Sequence, residues 1–481
     1  MYDLIIIGAG PAGLALAQCC SKMNQKILII DKETEIGGCH RVRRVKYNDE
    51  YIFTEHGPRI YSTAYKVFIS LLKDMNIDFY KIFTKYNFSI SRIGGETLWT
   101  TLTYKELFQL FVEFVFLIFN DTHGNDISMK DFTYSKRFNT NSIELIDKLC
   151  RLTDGADYER YTLNEFLQLF NQQFFYKLYQ PKLPNDVGLF KIWNEYLKNN
   201  NVTFLLSSIV DRLNVVDNTI ESVSVITVNG SYDIKGKKFV IATPPLNLVK
   251  LLENSDNLNA FGDLDKMRMW AHNTAYIDYI SVTLHWDKRL LLPKVYGFPK
   301  TSWGIAYIVL SDYMHFNEKS SQTVISAAIT ITDKPSLRIH KTADQCDLNE
   351  LISEIYHQLL ESFPHLPLPT TTMVSPGIYY ENNKWKSIDT AYISTSKENV
   401  LPFESDLISN LYNVGTHNGK NKYKFTSLES AVTNAVELSY ILHPELKKMY
   451  TITSGYTVKG FIIIIILIII IYIIYKYNNN N

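Results

Sequence analysis

The first 31 residues limit this chain more than any other stretch. Tyr2 to Ile7 is a short apolar run with Leu4-Ile5-Ile6-Ile7 at its centre. Gly8-Ala9-Gly10-Pro11-Ala12-Gly13 follows, then an Ala/Leu-rich segment to about Met23, then Ile27-Leu28-Ile29-Ile30 and Asp31. The order is strand, glycine turn, helix, strand, acid. Gly8 allows the tight turn, Gly10 lets the backbone approach a pyrophosphate, and Gly13 lets the helix pack against the strand. N–H groups at the helix start face phosphate oxygens, and Asp31, 18 residues after Gly13, can accept from a ribose hydroxyl. A tight strand–helix turn without ligand would use the same glycines. Asp3 and the lack of a basic start argue against reading this stretch as a secretory leader.

A second stretch sets the relation to membranes. Phe461 to Tyr475 is an uncharged, Ile-rich run flanked by Lys459 and Lys476. Gly460 to Tyr477 spans 18 residues, or about 27 Å as a helix, against a hydrocarbon core of ~30 Å. Flanking lysines and tyrosines extend it. With only Asn478 to Asn481 beyond, the expectation is a single-pass C-terminal anchor over 458–477, bound to membrane lipid, with the globular part cytosolic. Leu107 to Phe119 is also apolar but contains Glu113, and reads as a core-facing or membrane-touching helix.

Zero formal net charge gives no support for nucleic acid as a partner. The five cysteines form no C-x-x-C and fit a reducing compartment. A single Cys39 near the glycine turns cannot form the redox pair of a disulfide reductase. At 481 residues, 46% hydrophobic and 20% charged, the chain can bury a large core.

Past Asp31 and Lys32, Gly37-Gly38-Cys39-His40-Arg41 brings paired glycines and a cation to the register of a pyrophosphate. Tyr51 to Glu55 reads as a strand leading into His56-Gly57-Pro58-Arg59, with a helix from about Ala64 to Met75. Trp99 to about Lys182 has helical periodicity, clearest at Phe108–Phe119 and Leu163–Leu178. Leu189 to Lys198 reads as a helix, and Val202–Val210, Ile220–Ile226 and Lys238–Thr243 as strands, with a hairpin at Asn229-Gly230. Residues 259–397 alternate like an antiparallel sheet, with strands at Tyr276–Trp286, Trp303–Leu310 and Val324–Ile331. A helix at Leu348–Phe363 interrupts it, with Asp347 and Glu350 as a capping box. Asn410 to Thr416 is strand then turn, and Ser427 to His443 a helix.

In this order the motifs resemble the FAD-dependent amine oxidase superfamily, which also holds protoporphyrinogen oxidases and phytoene desaturases. Gly37-Gly38-Cys39-His40-Arg41 and Phe53-Thr54-Glu55-His56-Gly57-Pro58-Arg59 are most similar to protoporphyrinogen oxidases. The resemblance implies an α/β fold: a Rossmann-type, glutathione-reductase-like FAD-binding domain with an inserted α+β substrate domain and the C-terminal transmembrane helix. The FAD-binding domain would comprise 1–95, 185–255 and 398–450, and the substrate domain 96–184 and 256–397.

It also implies a site. Gly8, Ala9, Gly10, Pro11, Ala12 and Gly13 would hold the FAD pyrophosphate, with Asp31 and Lys32 at the adenosine ribose. Gly37, Gly38 and Arg41 would lie along the pyrophosphate and ribityl chain, and Gly57, Pro58 and Arg59 beside the isoalloxazine. Val210 would meet the adenine through its backbone. Gly415 and Thr416 would approach the ribityl phosphate, and the helix of Leu428 and Glu429 would aim its dipole at the flavin. No catalytic acid or base and no metal is implied. Thr416 stands where the family usually has an acid, and no cysteine near Trp385 matches the covalent-flavin cysteine, so FAD is expected to be noncovalent. Trp385 and Tyr392 are candidates for an aromatic cage or for core positions, and His56 and His417 lie near the expected flavin.

The function implied is oxidation of a small organic substrate, an amine or a porphyrinogen-like compound, by hydride transfer to FAD. One alternative is a flavin-dependent sugar-nucleotide mutase like UDP-galactopyranose mutase, with Lys136, Arg137 and Arg151 as the available cations. The other is a non-catalytic, membrane-bound flavin-fold scaffold.

Overall fold

The computed structural model describes all residues except 56, 58, 87–91, 94–95, 155, 174–175, 257, 277–278, 293–300, 388–391, 394–400, 420–426, 454–456 and 480–481. Its organising unit is the N-terminal β–α–β. Strand β1 (Tyr2–Ile7) feeds helix α1 (Pro11–Ser21), and β2 (Ile27–Ile30) returns parallel to β1, pairing Leu4 with Ile27 and Ile7 with Ile30. Pro11 pre-sets the backbone at the helix start. Every residue of α1 is buried, which its Gly, Ala, Leu and Cys composition permits.

The hairpin β3 (Val42–Tyr47) and β4 (Glu50–Glu55) follows, then α2 (Lys66–Asp74). A helical region comes next, in which α3 (Tyr104–Phe119) and α4 (Leu163–Gln173) flank a helix at Thr140–Asp154. Helix α5 (Leu189–Asn199) returns the chain to the first sheet through β5 (Val202–Leu205), β6 (Ile209–Val216), β7 (Thr219–Thr227) and β8 (Gly230–Ile241).

A second sheet is antiparallel. It holds β9 (Ile280–Trp286), β10 (Ile305–Val309), β11 (Thr323–Ile329) and, after α6 (Leu348–Leu359), β12 (Thr371–Val374), in the order β10-β11-β9-β12. Its core packs Trp286, Trp303 and Tyr307 against Leu351 and Ile355 of α6. The capping box Asp347–Glu350 starts α6 as expected. The chain then re-enters the first sheet with β13 (Leu411–Asn413), continues into α7 (Leu428–Leu442) and ends in α8 (Val458–Asn479).

The first sheet runs β5-β2-β1-β8-β7-β6, with β13 on the same strand β8. β5, β2, β1, the second half of β8 and β13 are parallel, while the first half of β8 pairs antiparallel with β7. Register puts Ile7 beside Ile30 and Ile241, Leu205 beside Ile30, and Ile241 beside Asn413, so five parallel strands end at one level. Ligands of parallel α/β sheets bind at that carboxyl edge. The β3–β4 hairpin joins the two sheets: Thr54 Oγ1 is 2.9 Å from Thr283 Oγ1, and His285 Nε2 is 2.9 Å from the Phe53 carbonyl.

The structure departs from the sequence reading in three places. The helix expected over Leu163–Leu178 ends at Gln173, and Leu178–Pro181 is a strand pairing with Phe83–Tyr86. The strand expected over Val202–Val210 breaks at Ser207, whose φ of 51° is left-handed, because Ser208 N–H turns in to donate to the Asp31 carbonyl. A helix at Leu264–Asn273, capped by Asp263, lies in the stretch read as sheet. Its apolar face packs under the first sheet, and three charged residues in its first five hide that face from simple periodicity.

Candidate cofactor site

The carboxyl edge is assembled first from backbone. Ala9 N–H donates to Asp31 Oδ2 at 2.6 Å, Glu33 N–H donates to Asp31 Oδ1 at 2.9 Å, and Gly8 N–H donates to the Ile30 carbonyl. Asp31 thus ties the glycine turn to the end of β2, and burial raises its carboxyl above the usual range against those two hydrogen bonds. A Cβ on Gly13 would stand 2.1 Å from the Gly8 carbonyl oxygen, so only glycine lets α1 start this close to β1. No side chain caps α1 at Gly10, so its first N–H groups face outward, available to an anion.

The second glycine pair lies against the first. Gly37 N–H donates to the Ala9 carbonyl at 2.9 Å, and a Cβ on Gly38, at φ 56°, would meet Gly10 Cα at 2.9 Å. Arg41 is nearly buried; it donates to the Gly38 carbonyl at 3.0 Å and stands 3.4 Å from Glu33. The Arg59 guanidinium donates to the Cys39 carbonyl, and the Gln180 amide to the Arg59 carbonyl. Lys32 sits at the exposed rim beside Glu33. Val210 reaches the Asp31 side because Ser207 and Ser208 N–H groups donate to the Glu33 and Asp31 carbonyls. Gly57 is in a left-handed turn at φ 68°; His56 and Pro58 lie outside the described residues.

The C-terminal contribution is a buried amide network. Asn413 Oδ1 accepts from Asn418 Nδ2 and lies 2.9 Å from His417 Nε2, while Asn413 Nδ2 donates to the Pro402 carbonyl. Asn418 Oδ1 takes the Gly415 N–H at 2.8 Å, and Asn434 of α7 donates to the Gly415 carbonyl at 2.7 Å. Burial holds the His417 ring down to about 3, so it is neutral, and with Asn413 Oδ1 as acceptor its proton sits on Nε2. Its partners make it a structural element of the loop; Trp270 packs edge-on against it at 5.8 Å.

Leu428 is in the main core. The Glu429 carboxylate points at helix α2, accepting from Val67 N–H at 2.8 Å and Phe68 N–H at 2.9 Å. It supplies the cap that α2 lacks from its own Tyr65. Burial pushes Glu429 up to about 7 against those bonds. Trp385 is a wall of the second core, its indole N–H donating to the Cys346 carbonyl, and the Tyr392 side chain lies outside the described residues.

Sequence reasoning missed Glu55, Thr243, Asn413, Asn418 and Asn434. Glu55 was legible only as a strand end, yet both its oxygens are buried without a hydrogen-bond partner. Burial pushes it up to about 7, with the Arg59 guanidinium opposing. Thr243 Oγ1 and Thr416 Oγ1 are likewise buried and unpartnered, each just past a parallel strand of this edge. Orphaned hydroxyls, uncapped helix N–H groups and a buried cation make a donor set that suits the phosphates and hydroxyls of a dinucleotide. Among the described residues, no group of three His, Cys, Asp or Glu could hold a metal.

Comparison with known proteins agrees with this geometry. Residues 6–75 match the NAD(P)-binding Rossmann-like domain family. Over 72 residues the chain is 32% identical to a UDP-galactopyranose mutase of Mycoplasma genitalium, covering 15% of this chain and 17% of that one. Over 63 residues it is 40% identical to an uncharacterised oxidoreductase of Bacillus velezensis, covering 13% and 16%. These matches span under a fifth of either relative.

Whole-chain likeness comes from solved structures. Putrescine oxidase bound to putrescine aligns with a TM-score of 0.61 at 13% identity, over 92% of this chain and 98% of the other. An oxidoreductase from Methanosarcina mazei aligns with 0.59 at 13%, over 91% and 99%. The chain therefore has an α/β fold of the amine oxidase type, with a Rossmann-like nucleotide-binding unit and an added apolar C-terminal helix.

Proposed function

We propose that this chain is a membrane-anchored, FAD-dependent oxidoreductase of the amine oxidase type. It would oxidise a small amine or porphyrinogen-like substrate by hydride transfer to noncovalent FAD. The observation that carries this reading is the single carboxyl edge, where the Gly8–Gly13 turn, Asp31, Gly37–Gly38 and the Gly415–Thr416 loop converge under an oxidase-like fold. FAD would supply the hydride acceptor. The residues supply the rest. The α1 N–H groups and Arg41 bind phosphate, and Asp31 and the Val210 backbone hold the adenosine end. Arg59 and Gly57 position the ring end, and Thr243 and Thr416 give hydroxyls to the middle. Glu55 is a carboxyl that holds a proton near neutral pH on the ring side of the site.

In this reading 1–95, 185–255 and 398–450 form the FAD-binding domain, and 96–184 and 256–397 the substrate domain. Residues 458–477 anchor the chain in membrane lipid, with the body on the cytosolic side. The anchor rests on Val458–Tyr477, a 20-residue helical span of mean hydropathy 3.0 whose apolar window is not buried in the body.

The local match to UDP-galactopyranose mutase favours a second reading, a flavin-dependent sugar-nucleotide mutase. The cations available for a nucleotide diphosphate do not favour it. Lys136 pairs with Glu113 at 3.3 Å, and Arg151 with Asp147 at 3.0 Å. Purified full-length protein tests all readings. A flavin absorbance band bleached anaerobically by an amine or a porphyrinogen supports the oxidase. Turnover of UDP-galactopyranose without bleaching supports the mutase. A colourless protein that does not take up FAD supports the scaffold and overturns both.

A further inference from the structure

Helix α3 is apolar on both faces: Leu110 and Leu117 are buried in the core with Leu107 and Phe114 packed beside them, and aromatics line the outer face. Its two carboxylates, Glu106 and Glu113, are buried, while Phe108 is 65% exposed, Phe111 60% and Phe119 82%. Tyr104, Phe108, Phe111, Val115 and Phe119 follow i, i+4, i+7, i+11, i+15, so they form one stripe along the helix. Trp99, in the turn before it, is also exposed.

The acids are held inside by specific partners. Glu106 accepts from Thr103 N–H at 2.7 Å, Asn139 N–H at 2.6 Å and Ser142 Oγ at 3.0 Å. Burial raises its carboxyl, but these bonds outweigh that and hold it below its ordinary value. Glu113 meets His123 Nε2 at 2.6 Å and Lys136 Nζ at 3.3 Å. A helix packed on one side and wet on the other would place its acids, not its phenylalanines, on the outer face. An apolar inner face, both acids turned inside and aromatics outward fit a helix whose outer solvent is apolar, and a contiguous aromatic stripe is an interaction surface.

What covers the stripe is set by its position. Asp121, two residues past Phe119, pairs with Lys459 Nζ at 2.7 Å. Lys459 is in the first turn of α8, and its N–H lies 3.3 Å from Asn171 Oδ1 on α4. α4 packs against both α3 and the start of α8. The aromatic stripe therefore ends beside the point where the apolar span leaves the body.

We propose that the Tyr104–Phe119 face, with Trp99, lies in the bilayer interface. The substrate-domain helices would then be held flat against the membrane that α8 enters. Tyr and Trp favour that boundary, and Phe inserts below it. This rests on the anchored reading above, and the test separates the two.

Full-length protein carrying Phe108→Cys or Phe111→Cys, each with a nitroxide label, is reconstituted into phosphatidylcholine vesicles. The reference is Val228→Cys, at a position 91% exposed in the hairpin between β7 and β8 of the first sheet. Unsubstituted labelled protein corrects for native cysteines. Power saturation compares collisions with oxygen, which concentrates in lipid, and with a water-soluble nickel chelate. The proposal expects an oxygen-to-nickel ratio several-fold above that of position 228 at both sites. Nickel-accessible labels overturn it. Labels shielded from both reagents show the face covered by protein, from a second copy or a partner, and overturn it too. Alkaline carbonate extraction of the same vesicles reads the anchor alone. Retention of the chain with nickel-accessible labels sinks the interface and spares the anchor; release with nickel-accessible labels sinks both.

Discussion

The two halves of the candidate site serve one sheet edge but are built differently. The N-terminal half is backbone: glycines at van der Waals limits, with Asp31 accepting two main-chain N–H groups. The C-terminal half is side chain: Asn413, His417, Asn418 and Asn434 shape the Gly415–Thr416 loop through buried amides and an imidazole. A backbone site fails by steric overlap. A side-chain site fails by leaving polar groups unpaired, and through His417 this one weakens in acid.

The sharpest break is expected at Gly13. Gly13→Val drives two branches into the Gly8 carbonyl, where there is no space even for Cβ. Overpacking against fixed backbone should cost about 3 kcal/mol or more, with a large fall in Tm and loss of bound flavin. Gly10→Ala separates folding from binding. Its Cβ has room, with Gly38 Cα at 3.8 Å, and its φ of −76° suits alanine. Tm should hold while flavin affinity drops; a fall in both would show that Gly10 serves packing.

Asn413→Leu should break the other half. Its Oδ1 serves Asn418 and His417, and its amide serves Pro402. Stranding these groups should cost about 2–3 kcal/mol. Urea unfolding should show the loss, and limited proteolysis should cut the 401–419 region first while the glycine turn stays protected.

These two halves were not equally legible in the sequence. Gly8, Gly10, Gly13 and Asp31 keep fixed spacings because a strand–turn–helix has one backbone solution, so spacing alone located them. Gly37 and Gly38 followed from register after Asp31. The C-terminal loop carries no such spacing rule: Asn413 bonds to residues 4, 5 and 11 positions away and Asn434 to one 19 positions away, a set of separations that no period picks out. Glu429 shows the same limit. The resemblance concerned the dipole of its helix and left its carboxylate unassigned; that carboxylate caps α2, 361 residues earlier in the sequence at Phe68. The α3 stripe was legible as apolar, but its outward orientation depends on what holds Glu106 and Glu113 inside.

Acid should discriminate the halves next. His417 is buried and neutral, its value held near 3, far below the ordinary ~6.5. Its contribution is therefore complete above pH ~6.5 and is lost as pH falls toward 3, because the unfolded chain takes up a proton that the folded chain refuses. His417→Gln keeps a donor for Asn413 without the titration. Relative to this variant, wild type should lose about 2 kcal/mol between pH 7 and 5 in urea unfolding. A pH-independent difference would refute a buried neutral His417.

The smallest effect is the most informative about the cofactor. Thr416 Oγ1 is buried with no hydrogen-bond partner, and Thr416 stands where the resemblance leads one to expect an acid. In the free protein that hydroxyl is a cost, so Thr416→Val, of nearly equal volume, should leave Tm unchanged or slightly raised. If the hydroxyl meets the cofactor, the same change removes a hydrogen bond worth about 1 kcal/mol, and flavin should dissociate with a Kd about fivefold higher. Higher stability with weaker flavin is a combination that packing alone does not produce. Higher stability with unchanged flavin affinity would mean that the C-terminal loop closes the sheet edge without touching the cofactor. The N-terminal half would then carry the binding alone.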